Sequence, residues 1–214
     1  MFKRASTVIF LMCVMAVLVT PARSDVFGGV NFPGGSASFA DAVVSFTPAI
    51  KNGEPIASVL DPTQALGVPN YPANPSYVSL GDGGSIVLRF TNNSLTGSGS
   101  SALDLWIFEV GPDVEDTFVD ISEDGVVWHG VGKVFGATSG IDIDAFGFGL
   151  GQYFSYVRLT DDTNEGDQTG GTVGADIDAV GAISSAPPVN QVPEPASVLV
   201  VATGAVAVFL RKRK

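Results

Sequence analysis

The feature that most constrains the fold of this chain is its punctuation. Helical periodicity is nearly absent from the middle of the sequence, where short runs rich in Val, Ile, Phe, Tyr and Thr are cut apart by Gly, Pro, Asn, Asp and Ser. Eight such runs stand out: AVVSFTPAI (42–50), YVSLG (77–81), GSIVLRFT (84–91), DLWIFEVG (104–111), DTFVDIS (116–122), VVWHGVGKVFG (126–136), YFSYVRLT (153–160) and DIDAVGAI (176–183). Eight strands with turn signals between them predict an all-β sandwich or barrel. The clearest local unit is FVDISEDGVVWHGVG, where Asp124-Gly125 favours a tight hairpin turn pairing Phe118–Ser122 with Val126–Val131. About 160 residues are available to this region, enough for one domain with a core of its own. The domain is expected over 25–184, followed by a Pro/Ser linker over 185–191.

Both ends read as addresses rather than fold. Residues 1–24 carry Lys3 and Arg4, an apolar run from about Val8 to Val19, and the small residues Ala22 and Ser24 around Arg23. That is the layout of a secretory signal peptide; the apolar run is shorter than the ~20 residues of a spanning helix, and Pro21 closes it. At the other end, Pro193 and Pro195 hold Val192-Pro193-Glu194-Pro195 extended. Ala196 to Leu210 is uncharged, and a helix over these residues would be ~22 Å long, short for a ~30 Å hydrocarbon core but tolerable with local thinning. Arg211, Lys212, Arg213 and Lys214 would remain on the cytoplasmic side.

Removing the two addresses changes the composition. The single cysteine, Cys13, leaves with the signal peptide, so the exported domain has no disulfide and no cysteine metal site. Between residues 25 and 192 only Lys51, Arg89, Lys133 and Arg158 face 21 acids, a formal charge of −17. Such a surface repels nucleic acid and anionic lipid and suits divalent cations or neutral ligands. Nucleic acid is excluded as a partner.

The tail resembles the PEP-CTERM sorting signal of Gram-negative bacteria, with the motif at 192–195, a short transmembrane helix at 196–210 and a basic end at 211–214, in that order. The resemblance implies an exosortase as processing partner, transient anchoring in the inner membrane, and a final place at the cell surface or outside it, beside exopolysaccharide and biofilm machinery. The domain resembles the discoidin-like, galactose-binding-fold modules of bacterial surface proteins, on ALGVP, VSLGDGGSIVLRF, DLWIFEVG, VDISEDGVVW, YVRLTD and GADIDAVGAI. That second resemblance implies a single jelly-roll-type β-sandwich, often with a calcium ion at one end and ligand loops nearby.

Acids and aromatics supply the candidate sites. The loop TDDTNEGDQTGGTVGAD brings Asp161, Asp162, Asn164 and Asp167 together with glycines, and Asp176 and Asp178 follow it. Calcium takes 6 to 8 oxygens from carboxylates, amides and carbonyls, and this segment is rich in all three, although its spacing is not that of an EF-hand. Alternation places Asp176 and Asp178 on one strand face opposite Ile177, and Glu109 is expected to close the same end of the sandwich. The echo IDIDAFG (141–147) gives Asp142 and Asp144 the same spacing and reads as ordinary water-facing alternation. GFGLG (147–151) precedes a strand rather than a helix and reads as a turn.

His129 is the only histidine, which excludes a multi-histidine metal centre, and no G-x-S-x-G motif accompanies it. It is expected as an exposed strand residue. Of the aromatics, Trp106 and Trp128 read as packing residues, while Tyr71 and Asn74 in the long loop before Tyr77 are the candidate ligand contacts. The sequence thus predicts a non-catalytic exported protein that binds exopolysaccharide or envelope components, with calcium as candidate cofactor. The alternatives are an acidic matrix protein with no specific ligand and a polysaccharide-modifying enzyme.

Overall fold

In the computed structural model the described residues are 24–111, 115–166 and 169–189. The signal peptide up to Arg23, Asp167, the motif at 192–195, the helix expected at 196–210 and the basic end at 211–214 lie outside them. Among the described residues the chain forms β1 (Asp25–Phe27), β2 (Val30–Phe32), β3 (Ala42–Thr47), β4 (Val78–Ser79), β5 (Ser85–Arg89), β6 (Ser94–Leu95) and β7 (Leu105–Glu109). These are followed by β8 (Thr117–Ser122), β9 (His129–Val134), β10 (Thr138–Ile141), β11 (Tyr156–Asp161), β12 (Asp176–Ala182) and β13 (Ser185–Ala186). The helical elements are single 3-10 turns, and among the described residues no helix is long and apolar enough to cross a membrane.

Two antiparallel sheets carry the architecture. One has the order β10-β7-β12-β4, the other β3-β5-β11-β8-β9. Their facing sides make one core: Val78, Leu105, Ile107, Ile177 and Val180 from the first sheet join Ile86, Leu88, Val119, Ile121, Val157 and Leu159 from the second. Alternation explains the burial, because β5, β8 and β11 each point every second residue inward, and these side chains are withdrawn from water. The fold is an all-β sandwich. The outer side of the first sheet is covered as well: the β1–β2 hairpin and the turn after it set Phe27, Phe32 and Phe39 against Phe108 and Ala179. Gly181 faces these rings, and a Cβ there would meet Phe32 at 2.7 Å, so the close stacking of hairpin on sheet requires glycine.

All eight expected runs contain strands, with three local corrections. Asp124-Gly125 does not make a two-residue hairpin. β8 pairs with β9 from Ile121↔His129 to Thr117↔Val134, leaving a longer loop at 123–128. The Asp124 carboxylate accepts from the N–H of Val126 and Val127, a local alternative to ladder pairing that delays β9 until His129. Asp142 and Asp144 do not alternate on a strand: β10 ends at Ile141, and Asp144 opens a 3-10 turn closed by Gly147 in the left-handed region. Finally, Ser185 and Ala186, expected in the linker, pair with Leu95 and Ser94 and extend the folded part beyond Ser184.

Candidate functional site

The sandwich has a polar end, built where the strands outrun their apolar residues. In β7 the inward side chains are Leu105, Ile107 and then Glu109; in β8 they are Ile121, Val119 and, at its start, Thr117; in β11 they are Val157, Leu159 and then Asp161. Glu115 lies just ahead of β8 at this end. The Glu115 N–H donates to Glu109 Oε1 at 3.1 Å. Glu109, Glu115, Thr117, Asp161 and Asp176 are all more than nine-tenths buried.

Burial raises the proton affinity of these acids. Glu109 is pushed up to about 9, first by burial and then by the Glu115 carboxyl beside it. Asp176 is pushed up to about 7 by burial, with repulsion from Glu115 and Asp161 added, although Ser79 Oγ donates to it. Asp161 is raised by burial despite accepting two backbone hydrogen bonds, from Gly83 N at 2.8 Å and Ala175 N at 2.8 Å. Those two bonds fasten the flanking loops to the end of β11. Gly166, at φ +70°, lies so close to Glu115 that a Cβ would meet its Cγ at 2.1 Å.

The sequence-predicted calcium ligands divide into separate roles. Asp162 accepts from Lys133 at 2.8 Å and from Asn164 Nδ2 at 2.8 Å, and the Lys133 ammonium holds its carboxyl down at about 2. Lys133 also reaches Asp116, at 2.5 Å. Asp178 sits at a β-bulge, because Ile177 pairs with Glu109 while Ala179 pairs with Phe108; the bulge removes it from the simple alternation with Asp176. Its carboxylate accepts from Asn70 N and Tyr71 N at 3.1 and 3.2 Å, so it anchors the long loop. Glu109 and Asp176 remain together at the polar end, and Glu115 joins them.

Sequence reasoning passed over Glu115 and Asp104. Glu115 had one legible signal, its placement six residues after Glu109 across a Gly-Pro turn. Asp104 is fully buried and accepts from Ile143 N at 3.0 Å and Ser184 Oγ at 2.6 Å. One carboxylate oxygen each from Asp104, Asp142 and Asp144 lies within 4.8 Å of the others, a grouping able to hold a metal ion. Asp144 in turn accepts from Gly99 N and Ser98 Oγ, and Asp142 Oδ1 from Asp144 N. Nothing in the strand-like spacing of 141–147 announced this; the 3-10 turn makes it.

A cleft of about 190 Å³ lies on the outer side of the first sheet, beside the N-terminal hairpin. Pro69 and Tyr71 of the long loop, Gly28, Phe108, Val110 and Asp178 line it. Tyr71 is 60% exposed, so its ring is offered to solvent at the rim of this cleft. Asn74 is exposed in the same loop and is not among the lining residues. The two tryptophans pack. Arg158 stacks over Trp128 at 4.6 Å, and Trp106 is half-buried against the outer cluster. His129 is half-buried, its ring 4.9 Å from that of Phe148, rather than exposed.

Comparison with known proteins identifies one segment. Residues 191–214 match the family model described as the PEP-CTERM protein-sorting motif. The motif marks an exported protein, transiently anchored in a membrane and processed by an exosortase. No curated protein sequence matches the chain. Among solved structures, one described as CpGH89CBM32-6 produced by Clostridium perfringens aligns at 13% identity over 68% of this chain and 92% of its own, with a TM-score of 0.35.

Proposed function

We propose that this chain, exported and sorted through its PEP-CTERM motif, displays a non-catalytic β-sandwich outside the cell that binds exopolysaccharide or envelope glycan. The observation that carries the glycan part is the cleft beneath Tyr71. An exposed aromatic ring stands at the rim of a concave surface with apolar walls and the Asp178 carboxylate beside it, and the Tyr71 N–H is tied to that carboxylate. Aromatic faces stack on the C–H faces of sugars, and a few convergent polar groups fix orientation. Asp178 orders that loop through the N–H groups of Asn70 and Tyr71, which lowers the entropy cost of ligand capture. The strongly acidic surface favours a neutral or cation-bridged glycan over an anionic one. Calcium is the candidate cofactor of this reading.

The binding test is affinity electrophoresis of the purified full-length chain through gels containing the producing organism's exopolysaccharide. The proposal expects retardation that soluble fragments of the same polymer compete away and that Tyr71→Ala abolishes. Free migration in every gel would leave a spacer of the surface layer. Sorting has its own test: replacing Pro193, Glu194 and Pro195 by alanine should leave uncleaved precursor in the membrane fraction, and normal processing would contradict an exosortase route.

A further inference from the structure

A second cavity, of about 230 Å³, opens at the end of the sandwich away from Glu109. β8 runs from the polar end at Thr117 to Ser122, so the loop 123–128 and the start of β9 stand at the opposite end. Glu123, Asp124, Val127 and His129 line the cavity. The His129 ring packs 4.9 Å from that of Phe148 and edge-on to the core residue Phe154 at 6.3 Å, which holds its plane. Neither the imidazole nitrogens nor the Glu123 carboxylate has a hydrogen-bond or ion-pair partner among the described residues.

The loop that presents these groups is set in advance. Asp124 Oδ1 accepts from Val126 N at 2.8 Å, Val127 N at 2.9 Å and Ser122 Oγ at 3.2 Å. These bonds, that from Val127 N first, hold the carboxyl below the usual carboxylate range, so Asp124 stays ionised. Its Oδ2 has no partner among the described residues. Gly125 turns at φ +77° against the Tyr156 ring, and Trp128 lies under the Arg158 guanidinium at 4.6 Å. Groups ordered before a ligand arrives lose less entropy on binding it. None of the four basic residues of the domain lines the cavity. Lys133 is paired with Asp116 and Asp162, Arg158 with Asp120, and Arg89 lies over Tyr156.

We infer that this cavity binds an amino sugar, a hexose ring with a free amine, as one unit of a glycan chain. Glu123 and Asp124 Oδ2 take the ammonium, and the imidazole takes a neighbouring ring hydroxyl, as donor or acceptor. Val127 meets a C–H face of the ring. A lysine side chain would satisfy the carboxylates and leave the imidazole unanswered. A neutral sugar would leave the carboxylates without a charge partner. The volume lies below the ~300–1,000 Å³ of drug-sized sites, so the cavity suits a single ring. The formal charge of −17 over residues 25–192 draws cations to the domain, and the cavity adds the geometry that selects among them. The ligand is of the glycan class proposed above, but the site does not depend on the Tyr71 cleft, which opens beside Glu109 at the other end.

The test follows the ring protons of His129 by NMR in the purified full-length chain in detergent; as the chain has one histidine, they are its only imidazole signals. The probes are the β-linked tetramer of glucosamine, its fully N-acetylated counterpart and a lysine tetrapeptide. The glucosamine tetramer should shift the signals saturably and bind about tenfold more tightly than either other probe. Glu123→Gln and Asp124→Asn should each weaken it about fivefold, with melts near wild type, since asparagine keeps an acceptor for the loop N–H groups. Glu54→Gln, which removes an acid that takes Gly170 N far from the cavity, should bind as wild type. Signals that no probe moves, or that the acetylated tetramer moves equally, would overturn the inference. So would tighter binding of the lysine peptide, or an equal loss in Glu54→Gln, which would reduce the effect to the general field of the domain. Failure of the Tyr71 cleft reads out separately, as free migration in exopolysaccharide gels with the His129 shifts intact.

Discussion

Asp161 and Glu109 end two facing strands at the same end of one core, and the protein treats them oppositely. Each lies one step beyond the last apolar inward residue of its strand, and each is nearly inaccessible to water. Asp161 is answered on both oxygens by the backbone N–H groups of Gly83 and Ala175. Glu109 has one backbone N–H, from Glu115, and the Glu115 carboxyl beside it. The difference teaches that a buried acid is not by itself a sign of function. An acid saturated by backbone donors is a fastener, and its removal should unfold loops. An acid facing another acid holds its proton more tightly, and replacing it by the neutral amide should relieve the repulsion.

The sharpest break between the two is stability. Asp161→Ala strands two buried N–H groups and should cost about 3 kcal/mol in urea unfolding. Glu109→Gln, measured in chelator at pH 8, should be neutral or stabilising. Equal losses from both variants would erase the distinction.

Next in size is the pH dependence. Glu109 and Asp176 have folded-state pKa values raised above their unfolded ones, to about 9 and about 7. The folded state therefore binds more protons, so their contribution to stability is complete below pH ~4 and is lost as pH rises through 7 to 9. The wild type should weaken over this window relative to Glu109→Gln. Parallel wild-type and variant profiles would contradict the assignment.

A smaller effect sharpens the geometry. Gly166→Ala, on a backbone at φ +70° and with its Cβ meeting Glu115 Cγ at 2.1 Å, should cost about 1 kcal/mol in urea unfolding. The smallest effect belongs to Tyr71→Ala. With 60% of its surface already in solvent, stability should shift by no more than about 0.5 kcal/mol, while retardation in exopolysaccharide gels disappears.

The strands were legible because their inner faces alternate: Ile86 and Leu88, Val119 and Ile121, Val157 and Leu159 announce a half-buried sheet without help. The short pairs were not. β6 and β13 are two residues each, and Ser94-Leu95 carries no periodicity to read. The hairpin at Asp124-Gly125 misled because a dipeptide signals a turn, whereas the Asp124 side chain decides its length. At the polar end, Glu109 and Asp176 were legible as acids beside an acidic loop. Glu115 was not, since its part depends on the end of β7 and the start of β8 meeting at one end of the two sheets. Likewise, Asp104, Asp142 and Asp144 converge only because β10 stops at Ile141 and a 3-10 turn folds the acids back.

The most direct measurement is the migration of the wild type and Tyr71→Ala through gels containing the producing organism's exopolysaccharide. The account predicts that the wild type alone is retarded. Free migration of both, or equal retardation of both, would contradict it.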